Sequence, residues 1–148
     1  MTNTLKSLIG NSKAHLKIAE RIFSDESISD KTLNSCAFIK LTFHNCTFHK
    51  VDFSGSSFAK CDFNECTFSE TIFKRVEFES CSFQNCKIID SNLDKVDFDE
   101  TSLNYCQFKK ISLLAGYFQS LGFNTYQKQL DSNQSRQDIN EKSLPLNL

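Results

Sequence analysis

Residues 51–70 read Val-Asp-Phe-Ser-Gly, Ser-Ser-Phe-Ala-Lys, Cys-Asp-Phe-Asn-Glu, Cys-Thr-Phe-Ser-Glu. Every fifth residue is Phe, the residue two before it is small or β-branched, and the residues between are mostly polar. Outward from this stretch the series runs unbroken through Phe38, Phe43, Phe48, Phe53, Phe58, Phe63, Phe68, Phe73, Phe78, Phe83, Ile88, Leu93, Phe98, Leu103, Phe108 and Leu113. The remaining Phe residues, Phe23, Phe118 and Phe123, share the same phase, so one rule places all 15. A second rule places all 7 cysteines two residues before a centre: Cys36, Cys46, Cys61, Cys66, Cys81, Cys86 and Cys106.

A step of five suits neither regular element. On an α-helix it advances about 140° net per repeat and smears the rings around the axis. On a continuous strand it alternates faces. Burying every centre on one side requires the chain to turn once per repeat. The small residue and the centre, two apart, then share one side of a short extended segment, and the flanking Asp, Asn, Ser, Thr, Lys, Glu and Gln face water. Gly is scarce and the only Pro is Pro145, so ordinary turn chemistry does not mark the corners.

This pattern resembles the pentapeptide-repeat family, whose signature is a small residue, a polar one, Leu or Phe, and two polar residues. Val51 to Gly55, Cys61 to Glu65 and Val96 to Glu100 carry it most closely. The resemblance implies an all-β, right-handed quadrilateral parallel β-helix with four repeats, hence twenty residues, per coil. It implies about four coils over residues 34–115, with Phe118 and Phe123 starting a further one. The centres then sort into four columns, aromatic early and tapering to aliphatic. Coils stack at about the strand spacing of 4.7–4.9 Å, and both ends need caps.

Outside that core, residues 1–33 are expected to form an N-terminal helical cap. Asn11 or Ser12 would open a helix through Ala14, Ile18, Ala19, Ile22 and Phe23 that ends near Ser24. On that reading Phe23 shares the five-step phase by coincidence. Residues 116–148 are expected to be a C-terminal cap, closed by Tyr126 and Leu130, with a polar, disordered tail from Asp131.

The formal net charge of −1 argues against a strongly basic nucleic-acid binder. Cysteines stacked in columns, Cys46, Cys66, Cys86 and Cys106 above all, have parallel Cβ vectors that suit stacking and not bridging. They are expected to be buried free thiols. Free thiols, and the lack of a leader or long apolar run, lead to the expectation of a bacterial cytoplasmic setting without membrane attachment. His44, Cys46 and His49 are close in sequence, but the repeat points Cys46 inward and the two His out of different faces. Neither a metal site nor a catalytic Cys–His or Ser–His pair is expected, and no cofactor.

What remains is surface. Glu77, Glu79, Asp97, Asp99 and Glu100 are expected to stack on one face without an outward cation, while Lys40 and Lys60 mark the earlier coils of that face. Ile39, Ile72, Ile89 and Tyr105 are the outward apolar residues, each on a different face. These features point to a non-enzymatic module that docks a protein, as a monomer or homodimer, with an immunity protein that shields a toxin as one form. Some pentapeptide-repeat proteins protect type II topoisomerases by imitating DNA. Residues 34–115, with 11 acidic and 9 basic side chains and no break in register, fit that role less well. A self-associating scaffold is the third reading.

Overall fold

The structure, a computed structural model, describes residues 4–11, 14–114 and 117–118. The chain winds into a square solenoid with a repeat of twenty residues, so Phe38 pairs with Phe58, Phe58 with Phe78 and Phe78 with Phe98 in parallel register. The first wall is a six-stranded parallel sheet: Lys17–Ala19, Ala37–Ile39, Ser57–Ala59, Glu77–Glu79, Asp97–Asp99 and Tyr117–Phe118. The second and third walls are five-stranded sheets on the centres Phe23 to Leu103 and Ile28 to Phe108. The fourth wall is held by the bridges Asp52 to Ile72, Ile72 to Asn92 and Asn92 to Ser112.

The corners have a single conformational origin. From His15 to Lys110 every fifth residue has φ between 48° and 71°, and all but Gly55 carry a side chain. Left-handed backbone turns the chain after each short extended segment. None of these residues is β-branched, the side-chain type that tolerates positive φ least. On the fourth wall the turn is also closed by hydrogen bonds: the N–H groups of Ser56, Val76 and Val96 donate to the carbonyls of Phe53, Phe73 and Leu93 at 2.9, 3.1 and 3.2 Å.

Inside, rings stack along each column. Phe63 lies 4.9 Å from Phe43 and 4.5 Å from Phe83, nearly parallel to both, and meets Phe58 edge-on. The side chains two before the centres complete the core by meeting backbone carbonyls of the coil beneath. Cys66 Sγ donates to the Phe43 carbonyl at 3.5 Å, Cys81 Sγ to Phe58 at 3.2 Å and Thr101 Oγ1 to Phe78 at 3.2 Å. A small donor is favoured there because the carbonyl is buried and needs a partner. Valine fits at Val76 and Val96, where the carbonyls beneath, Phe53 and Phe73, already accept the turn hydrogen bonds. All seven cysteines are buried and free. Contact with the Cys106 thiol and burial push the Cys86 thiol up to about 12, and contact with Cys66 and burial raise Cys46.

One expectation is corrected. Among the described residues from Asn11 to Ser24 there is no helix. Residues 14–33 form an additional first coil with strands Lys17–Ala19, Ile22–Ser24 and Ser27–Thr32, so the described residues hold five coils, not four. Phe23 is a true centre, stacked 5.5 Å from Phe43. The helical cap exists but is shorter and earlier: α1, Leu5–Ile9, N-capped by the Thr4 hydroxyl, with Leu5 and Ile9 buried on the open end. The apolar spacing of Ala14, Ile18, Ala19 and Ile22 imitates a helix. The competing five-step series Ile18, Phe23, Ile28, Leu33 is disguised because the residues two before its last three centres are Arg21, Glu26 and Lys31. Beneath the first coil there is no core for such residues to enter. The columns are therefore aromatic in the middle, mostly aliphatic in the first coil and evenly mixed in the fifth, where Phe98 and Phe108 alternate with Leu103 and Leu113. At the other end Tyr117–Phe118 pairs with Asp97–Phe98; Phe123, Tyr126, Leu130 and the segment from Asp131 lie outside the described residues.

Candidate protein-binding surfaces

The twenty-residue coil brings the five predicted carboxylates together on the first wall. Glu77 sits beside Asp97 and Glu79 beside Asp99 in adjacent parallel strands. Glu100, at the following corner, accepts a hydrogen bond from Ser80 Oγ at 3.5 Å. None of the five has a cation within ion-pair distance among the described residues; the ion pairs there are Lys40 with Glu20 at 3.8 Å and Lys50 with Glu70 at 3.9 Å. Asp97 shows the consequence. Burial, then Asp99 and Glu77, hold its carboxyl above the usual range, and its Oδ1 is covered with no hydrogen-bond partner.

The same wall changes character along the solenoid. Its second and third coils present Ala37, Ile39, Lys40, Ser57, Ala59 and Lys60; its fourth and fifth present the carboxylates. Like charges directly opposite in a sheet are unfavourable, so this half of the wall holds unrelieved repulsion next to a small, flat, weakly basic half.

The predicted apolar anchors do not converge. Tyr105 is 70% exposed at the corner after the second wall, Ile72 is 38% exposed on the fourth, and Ile39 and Ile89 are half-buried on the first and third. Among the described residues the most exposed large aliphatic side chain is Ile22, 72% exposed on the second wall, which the helical reading of its segment conceals. His44 and His49 stand on the second and third walls with Cys46 buried between them. A Ser–His contact that the linear sequence conceals does form across coils: His49 Nδ1 lies 2.8 Å from Ser69 Oγ. It lies on an open sheet face, and among the described residues no carboxylate hydrogen-bonds to His49 to orient it as a base. Among the described residues no helix is long and apolar enough to cross a membrane.

A family model described as a pentapeptide repeat region matches residues 53–128, just over half of the chain. A search of curated proteins gives no match. Among solved structures, full-length QnrB1, a plasmid-mediated fluoroquinolone resistance protein, is 18% identical with a TM-score of 0.42, covering 71% of each chain. Rfr23, a pentapeptide repeat protein from the cyanobacterium Cyanothece 51142, is 9% identical with a TM-score of 0.36, covering 73% of this chain and 88% of that one. HetL, a pentapeptide repeat protein involved in heterocyst differentiation regulation from Nostoc sp. strain PCC 7120, is 11% identical with a TM-score of 0.31, covering 78% and 66%. Against a trypsin-treated QnrB1 variant the chain spans 56% of that protein's length. The unbroken register, the square coil built on it and the match over residues 53–128 agree: the chain belongs to the pentapeptide-repeat family.

Proposed function

We propose that this protein is a non-enzymatic binding module that shields or inhibits one protein partner by docking a basic surface against the first wall, in the manner of an immunity protein that covers a toxin. The observation that supports the reading is the in-register block Glu77, Asp97, Glu79 and Asp99, with Glu100 at its edge and no cation opposite. A rigid parallel sheet fixes these carboxylates at strand spacing, so a basic partner meets a preformed array and pays little ordering entropy. Opposite charge both steers the encounter and relieves the repulsion around Asp97.

Affinity capture from the native cell extract tests it. The wild-type chain should retain one stoichiometric partner with a basic surface, released by moderate salt. A variant with Glu77, Glu79, Asp99 and Glu100 changed to Lys should fail to retain it. Equal retention by the charge-reversed chain would contradict the reading.

A further inference from the structure

The first coil breaks the repeat at one kind of position. In the later coils the residues two before the centres are small or apolar and buried, and they reach toward the coil beneath. In the first coil they are Leu16, Arg21, Glu26 and Lys31. Two of the four hold the cap. The Glu26 carboxylate accepts from the N–H groups of Leu5 and Lys6 at 2.9 and 3.3 Å, and Lys31 Nζ donates to the Gly10 carbonyl at 3.2 Å. The short helix α1 is thereby gripped at both ends by the corners on either side of the third wall, an acid at its N-terminus and a base at its C-terminus.

The other two, Leu16 and Arg21, lie on either side of the first wall, where among the described residues of α1 only Leu8 borders the open end. Between them is an open cavity of about 150 Å³ lined by Leu8, Leu16, Lys17, Ile18, Ala19 and Arg21. Its upper edge is the strand Lys17–Ala19, the terminal strand of the six-stranded sheet. The Ala37 N–H donates to the Leu16 carbonyl and the Glu20 N–H to the Ile39 carbonyl. In a parallel ladder this makes Ile18 face the second coil and turns the N–H and C=O groups of Lys17 and Ala19 toward the cavity. No described residue pairs with those groups. Arg21 and Lys17 are exposed and make no ion pair among the described residues, while the nearby Glu20 is directed to Lys40.

We propose that this notch is a docking site for a short extended peptide of another protein, which adds a strand to the first wall at Lys17–Ala19 and presents a carboxylate to Arg21. Three features of the notch call for that occupant together. An unpaired strand edge needs main-chain donors and acceptors. Leu8 and Leu16 accept an apolar side chain from one face of the added strand. Arg21 and Lys17, both exposed and without an ion pair among the described residues, favour an acidic residue beside it. The site lies at the opposite end of the first wall from the carboxylate block, so it stands or falls independently of the function proposed above.

Selection of displayed random heptapeptides against the full chain, followed by synthesis of the enriched sequences, tests the proposal. Enriched peptides should combine alternating apolar residues with an Asp or Glu. On titration of the 15N-labelled chain, the amides of Lys17 and Ala19 should shift and gain protection from exchange. Arg21→Gln, at an exposed position that leaves the melting temperature unchanged, should weaken binding by about fivefold or more, and Glu77→Gln should not. Absence of enrichment, binding that leaves those two amides unmoved, or affinity indifferent to Arg21→Gln would each overturn it. Sedimentation velocity without peptide adds a further outcome. A concentration-dependent dimer abolished by Arg21→Gln would assign the notch to a second copy of the chain and overturn the peptide assignment.

Discussion

The Ser56 hydroxyl donates to the Leu33 carbonyl at 2.6 Å, linking one coil to the coil beneath. It also accepts from the Cys36 N–H at 2.9 Å, so one side chain completes a corner that the backbone closes by itself in the next three coils of the fourth wall. Both backbone groups are buried. Ser56→Ala should therefore cost about 1–3 kcal/mol by orphaning them, whereas Ser56→Cys, the residue used at many equivalent positions, should retain most of the stability. Urea denaturation midpoints of the three proteins check this.

The aromatic column predicts a second loss. Phe63 is sandwiched between Phe43 and Phe83 and touches Phe58 and Phe68 edge-on. Phe63→Ala should cost about 3–5 kcal/mol. Phe63→Leu should cost less, because Leu103 fills the same column two coils later. Thermal unfolding at matched concentration separates the two.

Corner residues predict an opposite response to small and branched side chains. Lys60 has φ 55°. Lys60→Gly should gain up to about 1 kcal/mol, the relief of left-handed backbone exceeding the entropy lost by glycine. Lys60→Val should be destabilising by about 1–2 kcal/mol or more. Equal effects of the two in chemical denaturation would contradict the account of the corners.

Charge on the first wall makes stability depend on pH. Folding raises the proton affinity of Asp97, so the native chain keeps that proton where the unfolded chain has lost it. The contribution of this group to stability falls as pH rises from the ordinary carboxylate pKa through the raised native one, and returns on acidification. Asp97→Ser, which restores the residue found at Ser57 in the same column, should raise stability at neutral pH by about 0.2–1 kcal/mol and remove that part of the pH dependence. Difference curves of unfolding free energy against pH, wild type minus variant, read it directly.

Buried thiols predict chemical silence. With all seven cysteines buried, a reagent cannot reach them at pH 8, although stacked thiols shift one another in opposite directions, Cys86 up to about 12 and Cys106 down. A thiol reagent such as Ellman's should find no fast-reacting cysteine in native buffer and all seven in denaturant.

Much of this architecture is legible in the chain, and the reason is arithmetic. Once five residues make a side and twenty a coil, Glu77 must lie beside Asp97 and Cys66 above Cys46, whatever the details of the backbone. The ends escape that logic. Glu26 and Lys31 stand where the neighbour is the cap and Arg21 where the coil end is open, so their charges hide the first coil and the notch with it. The corners escape it for another reason. Left-handed backbone is usually signalled by Gly, and here Glu, Lys, Asp, Ser and Asn adopt it instead. The visible trace is negative: no Val, Ile or Thr at any corner from His15 to Lys110.

The single register that places every wall, the carboxylate block and the notch can be read from NMR scalar couplings across hydrogen bonds. Cross-peaks should join the Glu20 nitrogen to the Ile39 carbonyl carbon and the Ser80 nitrogen to that of Asp99, bonds of 2.9 Å in each case. A Glu20 nitrogen coupled instead to the Leu16 carbonyl would restore the helix over residues 14–23, and a shifted partner for Ser80 would separate the acidic residues and contradict the proposed docking wall.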